Sequence, residues 1–139
     1  MSDKPKSVVK EVAVFSIGMG LMLAAAAYFA FTGLESGAPP LWGMPRNMAI
    51  GIPVALLAAA NLGSGIMLIA TRNSTAVTLS VFSGCAISVF YFIFMMSATG
   101  TVGINLLTFI MVALPLLMLS RGKSATGELA AEGDTAAIE

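Results

Sequence analysis

Residue types that do chemistry are scarce in this chain, and those present are poorly placed for it. Histidine is absent, which removes the usual proton shuttle, the commonest metal ligand and any haem held through imidazole. The one cysteine, Cys85, lies inside an apolar run. It reads as a small buried hydrophobe, and a single thiol cannot form an internal disulfide. No phosphate loop, nucleophile–base pair, paired carboxylates or zinc spacing occurs. Serine and threonine are plentiful, but no histidine or intramembrane lysine stands by to activate one. An enzyme is therefore not expected.

What remains is polar or aromatic without being ionisable. Asn61 and Asn105 are the most polar residues of the long apolar stretches, accompanied by the hydroxyls of Ser80, Ser83 and Ser88. Such groups either orient a ligand along a polar path or bond across to a neighbouring helix, and the second is the commoner use. Tyr28, Trp42, Tyr91 and Phe94 belong to an aromatic set concentrated towards one end of the apolar stretches. An interfacial aromatic belt and core packing account for most of it. An aromatic pocket would suit a quinone, a pigment or a lipid tail, so a lipophilic cofactor is the one cofactor class left open. Met44, Met48, Met95 and Met96 carry thioethers of the kind that hold Cu(I). They form no tight repeat and read as gap-fillers, so no metal is expected.

The elements that must position these residues follow from composition. Hydrophobic residues make up 58% of 139 and charged residues 10%, against about 25% charged in soluble domains. Seven basic and seven acidic residues cancel, which leaves no basic footprint for nucleic acid. Four stretches lack charge and approach the roughly 20 residues needed to cross a bilayer core. They run over residues 12–33, 47–70, 74–98 and 102–119, the last two separated by Thr99-Gly100-Thr101-Val102-Gly103. The fold expected is an all-α integral membrane protein, a four-helix transmembrane bundle spanning 12–120.

The start resembles a signal peptide, with lysines, an apolar run and then Ala24 to Ala27. Its apolar run is longer than a usual signal core, so it reads as a retained helix. Lys4, Lys6, Lys10, Arg72, Arg121 and Lys123 fall on one side of alternating helices and only Arg46 on the other. The positive-inside rule then places both termini in the cytoplasm, at a bacterial plasma (inner) membrane by default. Residues 1–11 form a short cytoplasmic lead, and 121–139 an acidic tail too poor in large apolar groups to fold alone. The outer loop, 34–46, is stiffened by prolines, with Glu35 and Arg46 placed to pair across its base.

Small residues four apart mark faces where membrane helices approach closely. The second stretch carries Gly51, Ala55, Ala59 and Gly63, the third Ala76, Ser80, Gly84 and Ser88, and the first Ser16, Gly20 and Ala24. The fourth is bulky throughout and has only Gly103 and Ala113 as small residues. No Asp, Glu, Lys, Arg or His falls within a span, which argues against proton- or cation-coupled transport. The expected function is a non-catalytic accessory or structural subunit of a larger bacterial membrane assembly. Its expected partners are the bilayer and either other membrane subunits or copies of itself. The alternatives are a small oligomeric pore or carrier for an uncharged or lipophilic solute, and a binder of a lipophilic cofactor, pigment or lipid.

Overall fold

Asparagine caps start two of the helices, and residues in the left-handed conformation end two of them. The structure is a computed structural model that describes residues 7–33 and 39–138, with side chains as far as Gly133. It is all-helical: α1 spans Val8–Gly33, α2 Arg46–Thr71, α3 Ser74–Thr99 and α4 Leu106–Ile138. All four are long and apolar enough to cross a membrane. The α2–α3 connection is two residues. Arg72 closes α2 in the left-handed conformation (φ 47°), its N–H bonding Leu68 O, while the Asn73 side chain accepts from Ala76 N and starts α3. Gly100 ends α3 at φ 76°, where a side chain would be strained. The expected break after Ala98 is therefore a glycine cap.

The fourth helix begins later than expected and ends much later. It starts at Leu106 rather than 102, because the Asn105 side chain accepts from Thr108 N at 2.8 Å and caps it. The tail expected to stay unfolded over 121–139 is instead helical to Ile138. It is rich in alanine and has Leu129 and Glu128, all good helix formers. Ala125 is fully buried against Val9, Val12, Leu68 and Val77, with Leu129 packed beside them. The tail thus borrows from α1–α3 the apolar surface that it lacks alone.

The helices pack in ring order, α1 on α2, α2 on α3, α3 on α4 and α4 on α1, with α1 also touching α3 across the middle. The α1–α2 seam is held by glycines. A Cβ on Gly20 would stand 2.5 Å from Leu62 Cγ, one on Gly51 2.7 Å from the Phe31 ring, and one on Gly65 2.8 Å from Ile17. Gly84 lets Met118 of α4 onto α3, and Gly122 of α4 lies against Val81.

The ridge predicted on α2 is only half in the bundle. Gly51 is buried and Ala55 half-buried, but Ala59 and Gly63 are exposed. The buried face instead runs Gly51, Val54, Ala58, Asn61, Gly65, Leu68. A strict four-residue step drifts around a helix of 3.6 residues per turn, whereas alternating threes and fours stay on one face. On α3 the same drift is absorbed, because α3 meets three neighbours and buries a wide face including Ala76, Ser80, Gly84 and Ser88.

At the end away from the termini, Leu41 and Met44 pair around a tight turn through two backbone hydrogen bonds. Both central residues, Trp42 and Gly43, have positive φ, as a type I′ turn requires. Glu35, expected to pair with Arg46, lies outside the described residues.

Candidate functional site

Among the described residues six polar side chains are buried: Ser16 on α1, Asn61 and Ser64 on α2, and Ser80, Ser83 and Ser88 on α3. Five of them occupy the half of the bundle nearer the termini; Ser88 is further along α3, its hydroxyl directed at Met111 Sδ of α4. Asn61 is the centre, with 0% exposure. Its Nδ2 donates to Leu57 O (2.8 Å) in its own helix and to Ser83 O (3.3 Å) across the α2–α3 seam. Ser83 Oγ approaches both Asn61 Oδ1 (3.4 Å) and Ser64 Oγ (3.3 Å), and donates to Ser80 O at 3.1 Å. Ser16 Oγ and Ser80 Oγ are buried without a hydrogen-bond partner. The arrangement is a neutral network of amide and hydroxyls. It can tie helices together or hold a neutral polar group, and it offers no acid, base or activated nucleophile.

A surface groove of about 670 Å³ runs beside this network between α2 and α3. Ala59, Ala60 and Gly63 form one wall, Leu79, Phe82 and Ala86 the other, and Ser64 and Ser83 reach its floor. A Cβ added at Gly63 meets nothing within 4 Å. Unlike Gly20, Gly51, Gly65, Gly84 and Gly122, this glycine is not required by its own bundle.

The aromatic candidates divide. Trp42 meets Phe90 edge-on at 6.4 Å, and Phe90 stacks with Phe94 at 6.3 Å. Tyr91 turns towards α4, its hydroxyl 2.9 Å from Thr108 Oγ1. Tyr28 is 65% exposed, with Phe29 as its ring neighbour. Trp42 and Phe94 are thus linked through Phe90, while Tyr28 and Tyr91 stand apart from them. Asn105, a polar candidate for the spans, is the exposed cap of α4.

The third feature, at the end of the bundle near the termini, had no expected residue beyond the lone basic ones. Glu128 takes a hydrogen bond from Ser7 Oγ (2.6 Å) and another from Val8 N–H (2.8 Å), so the tail of α4 caps the start of α1. Arg72 bonds Glu132 at 2.7 Å and approaches Glu128 at 3.6 Å, and Arg121 pairs with Glu11 at 3.3 Å. Glu128 lies beyond the apolar part of α4. The Ser7 hydroxyl first, then backbone N–H groups and Arg72, hold its carboxyl below the ordinary carboxylate range, against a smaller desolvation. A depressed acid contributes stability above its unfolded pKa and loses it as pH falls through the folded one. Protection of the amides in the first turn of α1, taken relative to their intrinsic exchange rates, should therefore hold from neutrality down to the ordinary carboxylate range and fall below it. Equal protection at pH 3 and pH 7 would contradict the cap.

Comparison with known proteins gives no relative to reason from: no family model, no curated protein and no solved structure matches this chain.

Proposed function

We propose that the protein is a non-catalytic membrane subunit, inserted as four spans with both termini on the cytoplasmic side. In this reading it packs against a helix of a partner subunit through the α2–α3 groove. The observation that carries the reading is Gly63 with its neighbours Ala59 and Ala60. Glycine in a helix costs about 1 kcal/mol relative to alanine, and here nothing within the chain uses the space it leaves. In hydrocarbon, helices associate where small residues let backbones approach, and an outward small-residue wall is what a partner helix would need. The bulky outer face of α4, with Leu106, Phe109, Leu116 and Leu119 exposed, supplies a second apolar surface suited to lipid or to another subunit.

The test is purification of the tagged native protein in mild detergent, with mass spectrometry of everything that accompanies it. A stoichiometric set of subunits is expected. Gly63→Ile should release that set while leaving the helical spectrum and melting of the protein unchanged, because a Cβ added there meets nothing within 4 Å. A homogeneous protein with no companion would sink the reading.

A second reading, a small pore or carrier for an uncharged solute, draws support from the buried hydroxyl network around Asn61. Flux through liposomes holding only this protein, reduced by Asn61→Leu, would favour it over the first.

A further inference from the structure

The last stretch of α4 is built differently from the rest of the bundle. α4 has 33 residues where each of the other helices has 26, so at about 1.5 Å per residue it extends roughly 10 Å further. Up to Ser120 it is free of charge; from Arg121 onward come Arg121, Lys123, Glu128, Glu132 and Asp134. Its apolar contribution there is small, a buried Ala125 and a half-buried Leu129. Beside that apolar contact it is held by polar groups: Glu128 on Ser7 Oγ and Val8 N–H, Glu128 and Glu132 on Arg72, and Arg121 on Glu11.

We propose that this stretch is a strap latched across the end of the bundle, and that anionic lipid headgroups open it by competing for the groups that hold it. The proposal rests on the membrane reading above. The groups that Glu128 and Glu132 occupy are those a phosphate would take: a guanidinium, a serine hydroxyl and the first N–H of a helix. Val8 precedes the apolar part of α1 by about one turn, which sets the latch at headgroup depth. Charge complementarity selects the lipid. Arg72 and Lys10 are drawn to an anionic leaflet, while the carboxylates that close the strap are repelled by it. The ion pairs are partly exposed, Arg72 at 35% and Glu132 at 52%, so they are of the kind a charged surface displaces. Among the described residues, Glu11, Arg72, Arg121 and Glu132 are the charged groups that form ion pairs at the latch, on α1, the α2–α3 turn and α4 itself, with Lys10 nearby on α1. Opening would uncover Val9, Val12 and Val77 beneath Ala125.

The test is a spin-label distance between Thr75→Cys and Ala130→Cys, in a Cys85→Ser background, with the protein in lipid nanodiscs. Phosphatidylcholine discs should give one narrow, short distance. Discs with half phosphatidylglycerol should give a broad, longer distribution in which the short distance is a minority. Glu128→Gln combined with Glu132→Gln should be broad in both lipids. The same narrow distance in both lipids, or a broad one in both for the unaltered latch, would overturn the proposal. Opening of phosphatidylcholine discs by inorganic phosphate alone would overturn lipid as the trigger. Failure to enter discs of either lipid would remove the membrane reading itself, and the strap proposal with it.

Discussion

Gly65→Leu should separate α1 from α2 and lower stability in detergent by about 3 kcal/mol, the upper end for overpacking a filled seam. A Cβ at this position stands 2.8 Å from Ile17 Cγ1, 2.9 Å from Ala13 O and 3.1 Å from Ile17 N. Two of those three atoms are backbone, so no rotamer change relieves the clash. α1 has to move as a body. Moving it also loosens Gly20 from Leu62 and Phe31 from Gly51, the other close approaches along the same seam. The losses are coupled and will exceed what one contact implies. Gly63→Ile, two residues away, is the control: it adds a side chain of the same size where an added Cβ meets nothing within 4 Å. Surface substitutions of that kind usually change stability by less than about 0.5 kcal/mol. Thermal unfolding followed by circular dichroism in mild detergent separates the two. Equal melting of both variants would mean that the α1–α2 seam does not bind the bundle.

That contrast also marks where the sequence stops being legible. The long uncharged stretches gave four helices, and the Gly100 break fell where glycine is needed for a left-handed cap. Which glycines face inward was harder to see. Gly63 and Gly65 are equally small, and only the partner's position decides which one is buried. A three-four alternation picks Gly65 and a strict step of four picks Gly63. The same limit governs the tail. Glu128 and Leu129 read as solvated because their partners, Ser7 and Val9, lie about 120 residues earlier in the chain. Asn61 was recognisable as a polar residue in an apolar run. Its partner Ser83 was one hydroxyl among several on α3, and the depth of α2 against α3 had to be known to single it out. The aromatic set was legible as a population at one end, but not as two groups pointing to different helices.

Asn61→Asp should be the most damaging isosteric change available in this protein. The side chain keeps its size and shape, so packing is constant and the effect is that of charge and of lost donors. Asn61 is fully buried, and its Nδ2 now bonds two carbonyls, Leu57 O and Ser83 O. A carboxylate has no proton to give either of them and would set negative charge against both oxygens. Only Ser83 Oγ, at 3.4 Å from Oδ1, could turn towards it. The residues forming the network are otherwise neutral, so no cation offsets the charge. Placing an aspartate in the middle of a membrane helix costs about 2.5–3.5 kcal/mol by insertion measurements. The variant should therefore lose most of its folded population, which detergent melting and resistance to proteolysis both read. Asn61→Leu provides the comparison. It removes the same donors without adding charge, and an interhelical bond of this kind contributes about 0.6 kcal/mol on average. Leucine should accordingly be tolerated and aspartate not. If the two variants lose stability equally, Asn61 acts by shape alone, and the network it makes with Ser64 and Ser83 contributes nothing measurable. If aspartate is as stable as the parent, the site is open to water, and the buried layer is better read as the wall of a path than as a tie between α2 and α3.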